Sequence, residues 1–455
     1  MNTVAPSTVA VIGAGITGLT AAFRLHQAGH TPVVLEASAR VGGVIGAVRE
    51  RGWLHELGPN SLLEGSSEVA ALVDAAGLSV RRLYAAEAAR QRYIVRGGKM
   101  VALPTSPWAF LTTPLFSVRA KLALLGEPWR AKAPAEADET VADFVVRRLG
   151  REFLDYAINP FVGGVYAGDP RQLSVRHGFP KLHALEQEHG SLLRGALRRR
   201  NASGGPKGRI FSFPDGLEEL PRALAAALGG AVRCNTRVES LRRVETHWEV
   251  QWRSGGGETG KVSCAHVVVA LPADALAALT IEGVAEVPNL AELRGIVHPP
   301  VVSVFTGFGR DEVAHPLDGF GVLMPEVEQG RILGTLFSST LFPGRAPEGC
   351  VALTTFVGGV RQPELAGLND SALIELVLGE LRRLVGVKAA PRYLHICRWP
   401  RAIPQYEPGY GRYRELLARL ERAAPGLHIG GNARDGISLA NCIESGLRLA
   451  KEVGV

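Results

Sequence analysis

The chain has 455 residues, with 51 Lys or Arg against 44 Asp or Glu for a formal charge of +7, and it is 46% hydrophobic and 21% charged. That length and balance exclude a disordered or fibrous polypeptide and allow roughly two or three domains around an ample core. Five scattered cysteines, Cys234, Cys264, Cys350, Cys397 and Cys442, form no C-x-x-C, so neither a disulfide framework nor a zinc module is expected and a reducing cytoplasm is the expected setting.

Met1 to Ser7 lacks the basic start and apolar run of a signal peptide, so no export is expected. The first predicted element is a β-branched strand from Thr8 that runs into Gly13-Ala14-Gly15-Ile16-Thr17-Gly18. A helix through Leu19 to His26 follows, Gly29 stops it, and a second strand, Thr31 to Leu35, ends at Glu36. Physics asks something different of each glycine, since one makes the tight turn, one lets a pyrophosphate approach the backbone, and one packs helix on strand. The helix start offers free N–H groups to an anion, and Glu36 offers an acceptor to an adenosine ribose. NAD and FAD share this fingerprint. Just beyond it, Arg40-Val41-Gly42-Gly43 resembles the Arg-x-Gly-Gly signature of flavoproteins related to the amine oxidases, which points to FAD.

Residues 99 to 208 read as mainly helical. Within them, Trp108 to Phe116 and Leu122 to Leu125 set apolar side chains beside Lys99, Arg119 and Lys121, a mixture suited to a lipid headgroup surface or to a lid over a site. Arg194 to Arg209, with Arg198-Arg199-Arg200, Lys207 and no acid, reads as a solvated loop. The most apolar long window, Val262 to Ile281, is broken by His266, Pro272 and Asp274 and divides into a strand and a helix rather than a membrane span. Ser254 to Gly257 reads as a hairpin-like turn. Leu427 to Ile429 reads as a strand entering Gly430-Gly431-Asn432, and a helix beginning near Ser438 sets Ala440, Ile443, Leu447 and Ala450 on one face. No second G-x-G-x-x-G follows a strand, so a pyridine-nucleotide reductase is not expected. The 12 His show no metal-ligand spacing, and no nucleic-acid module accompanies the basic residues.

Six further stretches carry a more specific resemblance: Glu56-Leu57-Gly58-Pro59-Asn60-Ser61, Arg92 to Gly98, Ala167 to Arg176, Gly319 to Pro325, Ile403 to Tyr406 and Asn441 to Gly446. In these the chain resembles the FAD-dependent protoporphyrinogen oxidases, a family that in some bacteria includes coproporphyrinogen III oxidases. The resemblance implies an α/β fold with a p-hydroxybenzoate-hydroxylase-like, Rossmann-type FAD domain, a mixed-sheet substrate domain and an inserted helical membrane-binding domain. Its boundaries would be an FAD domain built from 1–85, 209–275 and 425–455, a substrate domain from 86–98 and 276–424, and the helical insertion at 99–208.

The resemblance also implies the site residues. FAD contacts carry over to Gly13, Ala14, Gly15, Ile16, Thr17, Gly18, Glu36, Ala37, Gly43, Val44, Gly58, Pro59, Asn60, Ser61, Val238, Asn432, Ile437, Ser438 and Leu439. Arg92 matches the arginine that pairs with a substrate propionate, and Phe320 and Leu323 match residues that clamp pyrrole rings, with Gly321 letting the ring pass close. Residues three apart on a flat strand face opposite sides, so this clamp requires a bend near Gly321. Leu336 and Phe356 match other slot positions. No acid, base or metal is required of the protein, because the flavin takes the hydride. The implied activity is oxidation of protoporphyrinogen IX to protoporphyrin IX for heme synthesis, with FAD reoxidised by oxygen and hydrogen peroxide released. Coproporphyrinogen III is the neighbouring alternative. An amine oxidase or carotenoid desaturase, with an aromatic cage near Trp399 and Tyr406, is more remote, and so is a non-catalytic porphyrin carrier. Implied partners are a membrane surface, with the protein peripheral on its cytoplasmic side, and the next heme enzyme, ferrochelatase.

Overall fold

The computed structural model describes residues 7–202 and 208–454. Thr8–Ile12 becomes the middle strand of a five-stranded parallel sheet, ordered Val232–Arg233, Thr31–Leu35, Thr8–Ile12, His266–Val269, Leu427–Ile429. Both faces of this strand are covered, which is why it reads as an unbroken apolar run. Val9 and Val11 point to one side, where the helices Ile16–Gln27, Glu219–Leu228 and Leu439–Val453 pack. Ala10 and Ile12 point to the other, against the antiparallel strands Thr236–Val244, His247–Ser254 and Thr259–Cys264 and the helix Gly411–Ala423. The first and last helices approach closely because Gly446 has no side chain: a Cβ there would lie 2.5 Å from Thr17 O.

A seven-stranded sheet stands beside it, in the order Tyr393–Trp399, Val301–Gly309, Cys350–Gly358, Gly334–Leu336, Gly321–Leu323, Tyr93–Arg96, Lys99–Ala102. Val302, Val304, Val322, Leu353 and Val357 bury one face against Leu373, Val377 and Leu381 of the helix Asp370–Val385. The helix starts where it does because the Asn369 side chain accepts Ala372 N–H at 2.9 Å, and it ends at Gly386, whose φ of +65° suits glycine. The opposite face meets the helical segment at Leu323 and carries the candidate site beside that contact.

From Pro107 to Ala202 the chain is mostly helical, built around Phe116, Phe144, Phe153, Val162 and Leu173. The solvated loop expected at Arg194 to Arg209 is corrected: Leu192–Ala202 is a helix. Its first turn is fixed by Glu127, which accepts Leu192 N–H at 3.0 Å and Leu193 N–H at 3.3 Å, while Ser191 Oγ caps Arg194 N–H at 3.1 Å. Residues 203–207 of that expected loop lie outside the described residues. Among the described residues no helix is long and apolar enough to cross a membrane.

Candidate active site

The parallel sheet delivers its loops to one edge, the carboxyl ends of its strands, where an open α/β sheet binds ligands. Gly13 leaves the first strand at φ +98°, a conformation open to glycine, and Gly15 caps the following helix. The Glu36 carboxylate, at the end of the neighbouring strand, accepts Ala14 N–H at 2.7 Å and Ser38 N–H at 2.8 Å. Arg40 braces the second glycine turn, donating to Gly43 O and Ile45 O at 2.7 Å each, and Gly42 N–H reaches Ala14 O at 2.8 Å. The third loop arrives through Gly58, where a Cβ would meet Val44 O at 2.2 Å, so the Gly58 backbone lies directly on that of Val44 and leads Pro59, Asn60 and Ser61 away from that contact. Val238 stands two residues beyond Thr236, whose N–H donates to Glu36 O at 2.7 Å. The last strand brings Gly431 and Asn432 to the same edge, followed by Ile437, Ser438 and Leu439 at the start of the closing helix.

The shape fits a dinucleotide. A Cβ added at Gly15 or Gly431 would meet no atom within 4 Å, and one at Gly43 only Gly15 Cα, at 3.5 Å. These glycines therefore border free space rather than neighbouring protein. The opening helix faces it with unpaired N–H groups, the donor set that a pyrophosphate requires.

The second face of the seven-stranded sheet, partly covered by the helical segment at Leu323, lies beside this edge. Strand register sets Leu323, Gly334, Phe356 and Ser303 in one row and Gly321, Leu336, Thr354 and Phe305 in the next. Three of the expected slot residues, Leu323, Leu336 and Phe356, thus share one face. Gly321 opens its strand at φ +151°, and the chain bends at Gly319 and Phe320 just before it. Phe320 is held from both sides, its N–H on Gln91 O at 2.7 Å and its O on Phe337 N–H at 3.0 Å. Its ring lies under the Arg92 guanidinium, 5.4 Å from the centroid. Arg92 is exposed and has no ion-pair partner among the described residues. Glycine at 321 has a reason within the sheet as well: a Cβ there would lie 2.2 Å from Thr335 O of the neighbouring strand.

Glu56 and Arg345 join the two halves of the site, and no local pattern in the sequence signals it. Their side chains are each 3% exposed and paired at 3.2 Å across 289 residues. One Glu56 oxygen also accepts Leu217 N–H at 3.0 Å, while Oε2 has no partner. Glu56 and Asn60 line a small partly open pocket with Leu336 and Thr354, so Asn60, expected at the cofactor, and Leu336, expected at the substrate, meet there. Burial pushes the Glu56 carboxyl up, against the pull of Arg345, Leu217 N–H and Ser212, to about 7. A carboxyl whose folded pKa lies above its unfolded value of 4.5 costs stability as pH rises between the two. Glu56→Gln should therefore flatten the decline in urea midpoint between about pH 4.5 and 7; parallel curves for the two proteins would refute the assignment.

The aromatic pair that an amine site would use is otherwise engaged. Trp399 Nε1 donates to Leu57 O at 2.8 Å. Tyr406 is 2% exposed and packs on Tyr410 at 4.2 Å, and its hydroxyl bonds Asn432 O and Gly436 N–H. It positions the glycine turn and lines no cage.

Comparison with known proteins bears on the family and the fold. Residues 16–454 match the family described as flavin containing amine oxidoreductase. The chain is 35% identical to protoporphyrinogen oxidase 2, chloroplastic/mitochondrial, of Arabidopsis thaliana, over 97% of its own length and 92% of the relative's. It is 28% identical to coproporphyrinogen III oxidase of Bacillus subtilis, over 96% of each. A crystal structure from Exiguobacterium sp. 255-15 superposes with a TM-score of 0.81 at 24% identity, covering 99% of both chains.

Proposed function

This chain belongs to the flavin-containing amine oxidoreductase family, with FAD as its cofactor, and from that premise we propose that it oxidises a porphyrinogen to a porphyrin in heme synthesis. The finer architecture is read as a p-hydroxybenzoate-hydroxylase-like FAD domain with a sheet domain for substrate. The observation that carries the proposal is the Arg92 guanidinium, without an ion-pair partner among the described residues, seated on Phe320 at the rim of an apolar strip formed by Leu323, Leu336 and Phe356. A flexible tetrapyrrole has the matching shape, with apolar ring edges and a propionate for the arginine. When bound, FAD supplies the acceptor for a hydride from a carbon linking two pyrroles and passes the electrons to oxygen, releasing hydrogen peroxide. The protein's part is to orient the macrocycle, exclude water with the apolar strip, and hold the cofactor's phosphates at the opening helix.

Protoporphyrinogen IX is the preferred substrate on similarity, 35% identity to a protoporphyrinogen oxidase against 28% to a coproporphyrinogen oxidase. Anaerobic mixing of the FAD-loaded protein with protoporphyrinogen IX should bleach the flavin and yield porphyrin absorbance. A flavin that keeps its colour with both porphyrinogens would remove the oxidase reading, and faster turnover of coproporphyrinogen III would reverse the substrate preference. Peripheral membrane attachment is proposed for the helical insertion, supported by Trp108 and Trp129, 74% and 80% exposed beside Leu111, Val118, Leu122 and Leu125. From there the porphyrin would pass to the enzyme that inserts iron.

A further inference from the structure

Arg361 is a half-buried cation that the flavin and propionate assignments leave unused. No carboxylate lies within ion-pair distance of it among the described residues; its bonds go to two neutral oxygens, Asn159 Oδ1 at 2.8 Å and Met324 O at 3.4 Å. Glu326 and Asp169 attract the guanidinium without pairing with it directly, and a cation that has lost much of its water and holds no direct counter-ion gains from a ligand that supplies one. Arg361 lines a cleft of about 80 Å³ with Gln362, Gln329, Glu326 and the Met324-Pro325 turn, more room than a single water needs. Glu326 is an anion in the same cleft, but both of its oxygens are engaged, by Arg171 Nη2 at 2.7 Å and Asn159 Nδ2 at 3.1 Å.

This cleft adjoins the porphyrinogen slot. The helix Asn159–Tyr166 crosses the sheet face with two consecutive glycines: a Cβ at Gly164 would lie 2.3 Å from Leu323 Cδ2, and one at Gly163 would lie 2.6 Å from Arg361 Nη2. Leu323 and the Arg361 head group are therefore neighbours under one helix. Arg92 precedes the strand at the other corner of the face, opposite Gly321, while Arg361 follows the strand end at Gly358. Counting strand spacing and rise puts Arg92 about 20 Å from Gly358, the strand end that Arg361 follows, so the two arginines stand at opposite corners of the face.

Resting on the porphyrinogen reading, we propose that Arg361, flanked by Gln362, is a second carboxylate subsite at the end of the slot remote from Arg92, engaged by tetracarboxylate porphyrinogens. Protoporphyrinogen carries its two propionates on adjacent rings, so one edge of the macrocycle presents both to the Arg92 end. Coproporphyrinogen carries one propionate on every ring and places carboxylates at both ends. The slot thus takes the tetracarboxylate as well as the dicarboxylate.

The test is equilibrium titration of the FAD-loaded protein with coproporphyrin III and protoporphyrin IX, read by porphyrin fluorescence without turnover. Arg361→Gln should weaken coproporphyrin binding about tenfold while shifting protoporphyrin binding less than about twofold. Arg361→Lys, which keeps the charge but loses the fork, should fall between. If Arg361→Gln fails to load FAD, the lysine variant carries the test through the same coproporphyrin-selective loss. Equal weakening of both porphyrins, or none, overturns the subsite. In that case Arg92→Ala weakening both would leave the porphyrinogen reading standing, and a wild-type protein that binds neither porphyrin would sink both.

Discussion

Gly15→Ala and Gly18→Ala should each yield protein that purifies without its yellow colour, but only the second should lower the stability of the flavin-free chain. At Gly15 an added Cβ meets nothing within 4 Å, and the residue's φ of −70° suits alanine. The apoprotein has no reason to notice the change. Its methyl would occupy the space where the pyrophosphate approaches the helix start. At Gly18 the added Cβ would lie 2.0 Å from Gly13 O and 3.4 Å from Ala270 Cβ. The first contact is with backbone, so the opening helix must withdraw from the strand turn by about an ångström or more, at the roughly 1 to 3 kcal/mol typical of overpacking. Because that displacement also moves the phosphate-facing N–H groups, the same free energy lost from cofactor binding would lower FAD affinity about 5- to 150-fold. The ratio of flavin to protein absorbance and the melting temperature of the stripped chains read both effects. Normal flavin loading by Gly15→Ala would mean that the pyrophosphate lies elsewhere.

The contrast between these two glycines marks how far the sequence can be read. The opening turn is legible because its constraints are local: the strand, the glycines and Glu36 lie within 29 residues, Thr8 to Glu36, and each residue type is dictated by its neighbours. The closing helix is legible for the same reason, with Ser438 accepting Asn441 N–H at its start and its apolar face turned to the core. The Glu56–Arg345 pair is not, since nothing in the residues around either one points to a partner 289 positions away. The loop expected at Arg194 to Arg209 fails through the same blindness: basic residues imply solvation, but the acceptor that fixes this helix, Glu127, comes from 65 residues upstream. Gly321 shows a subtler limit. Its residue type invites a ligand-facing reason, and nothing local shows that an atom of the adjoining strand excludes a side chain as well. Arg361 carries no local signature at all; what marks it is its place beside Leu323 under the helix Asn159–Tyr166, with neutral oxygens as its bonded partners.

Arg148→Met should destabilise the helical insertion by about 3 to 5 kcal/mol, the usual cost of leaving a buried charge without its partner. Arg148 and both of its carboxylate partners, Glu127 and Glu186, have fully buried side chains. The guanidinium also donates to Arg130 O at 2.8 Å and Gly190 O at 2.9 Å, so one side chain ties three segments that are distant in sequence. Methionine fills much of the volume but leaves Glu127 to Ser191 and the Leu192 and Leu193 N–H groups alone. The acid limb of stability provides a second readout. Burial pushes the Glu127 carboxyl up, but Ser191, those two N–H groups and Arg148 together outweigh it and hold the group below its ordinary value. A depressed carboxyl stabilises the fold above its unfolded pKa of 4.5 and loses that contribution as pH falls. Arg148→Met should therefore weaken the neutral-pH protein more than the acidic one, while adding Glu127→Gln should recover part of the loss by removing the stranded charge. FAD loading should persist, because the nucleotide cradle takes none of its residues from this network, and limited proteolysis should shift to the helix Leu192–Ala202. A melting temperature within a degree or so of wild type, with no change in the cleavage pattern, would show that the network is dispensable.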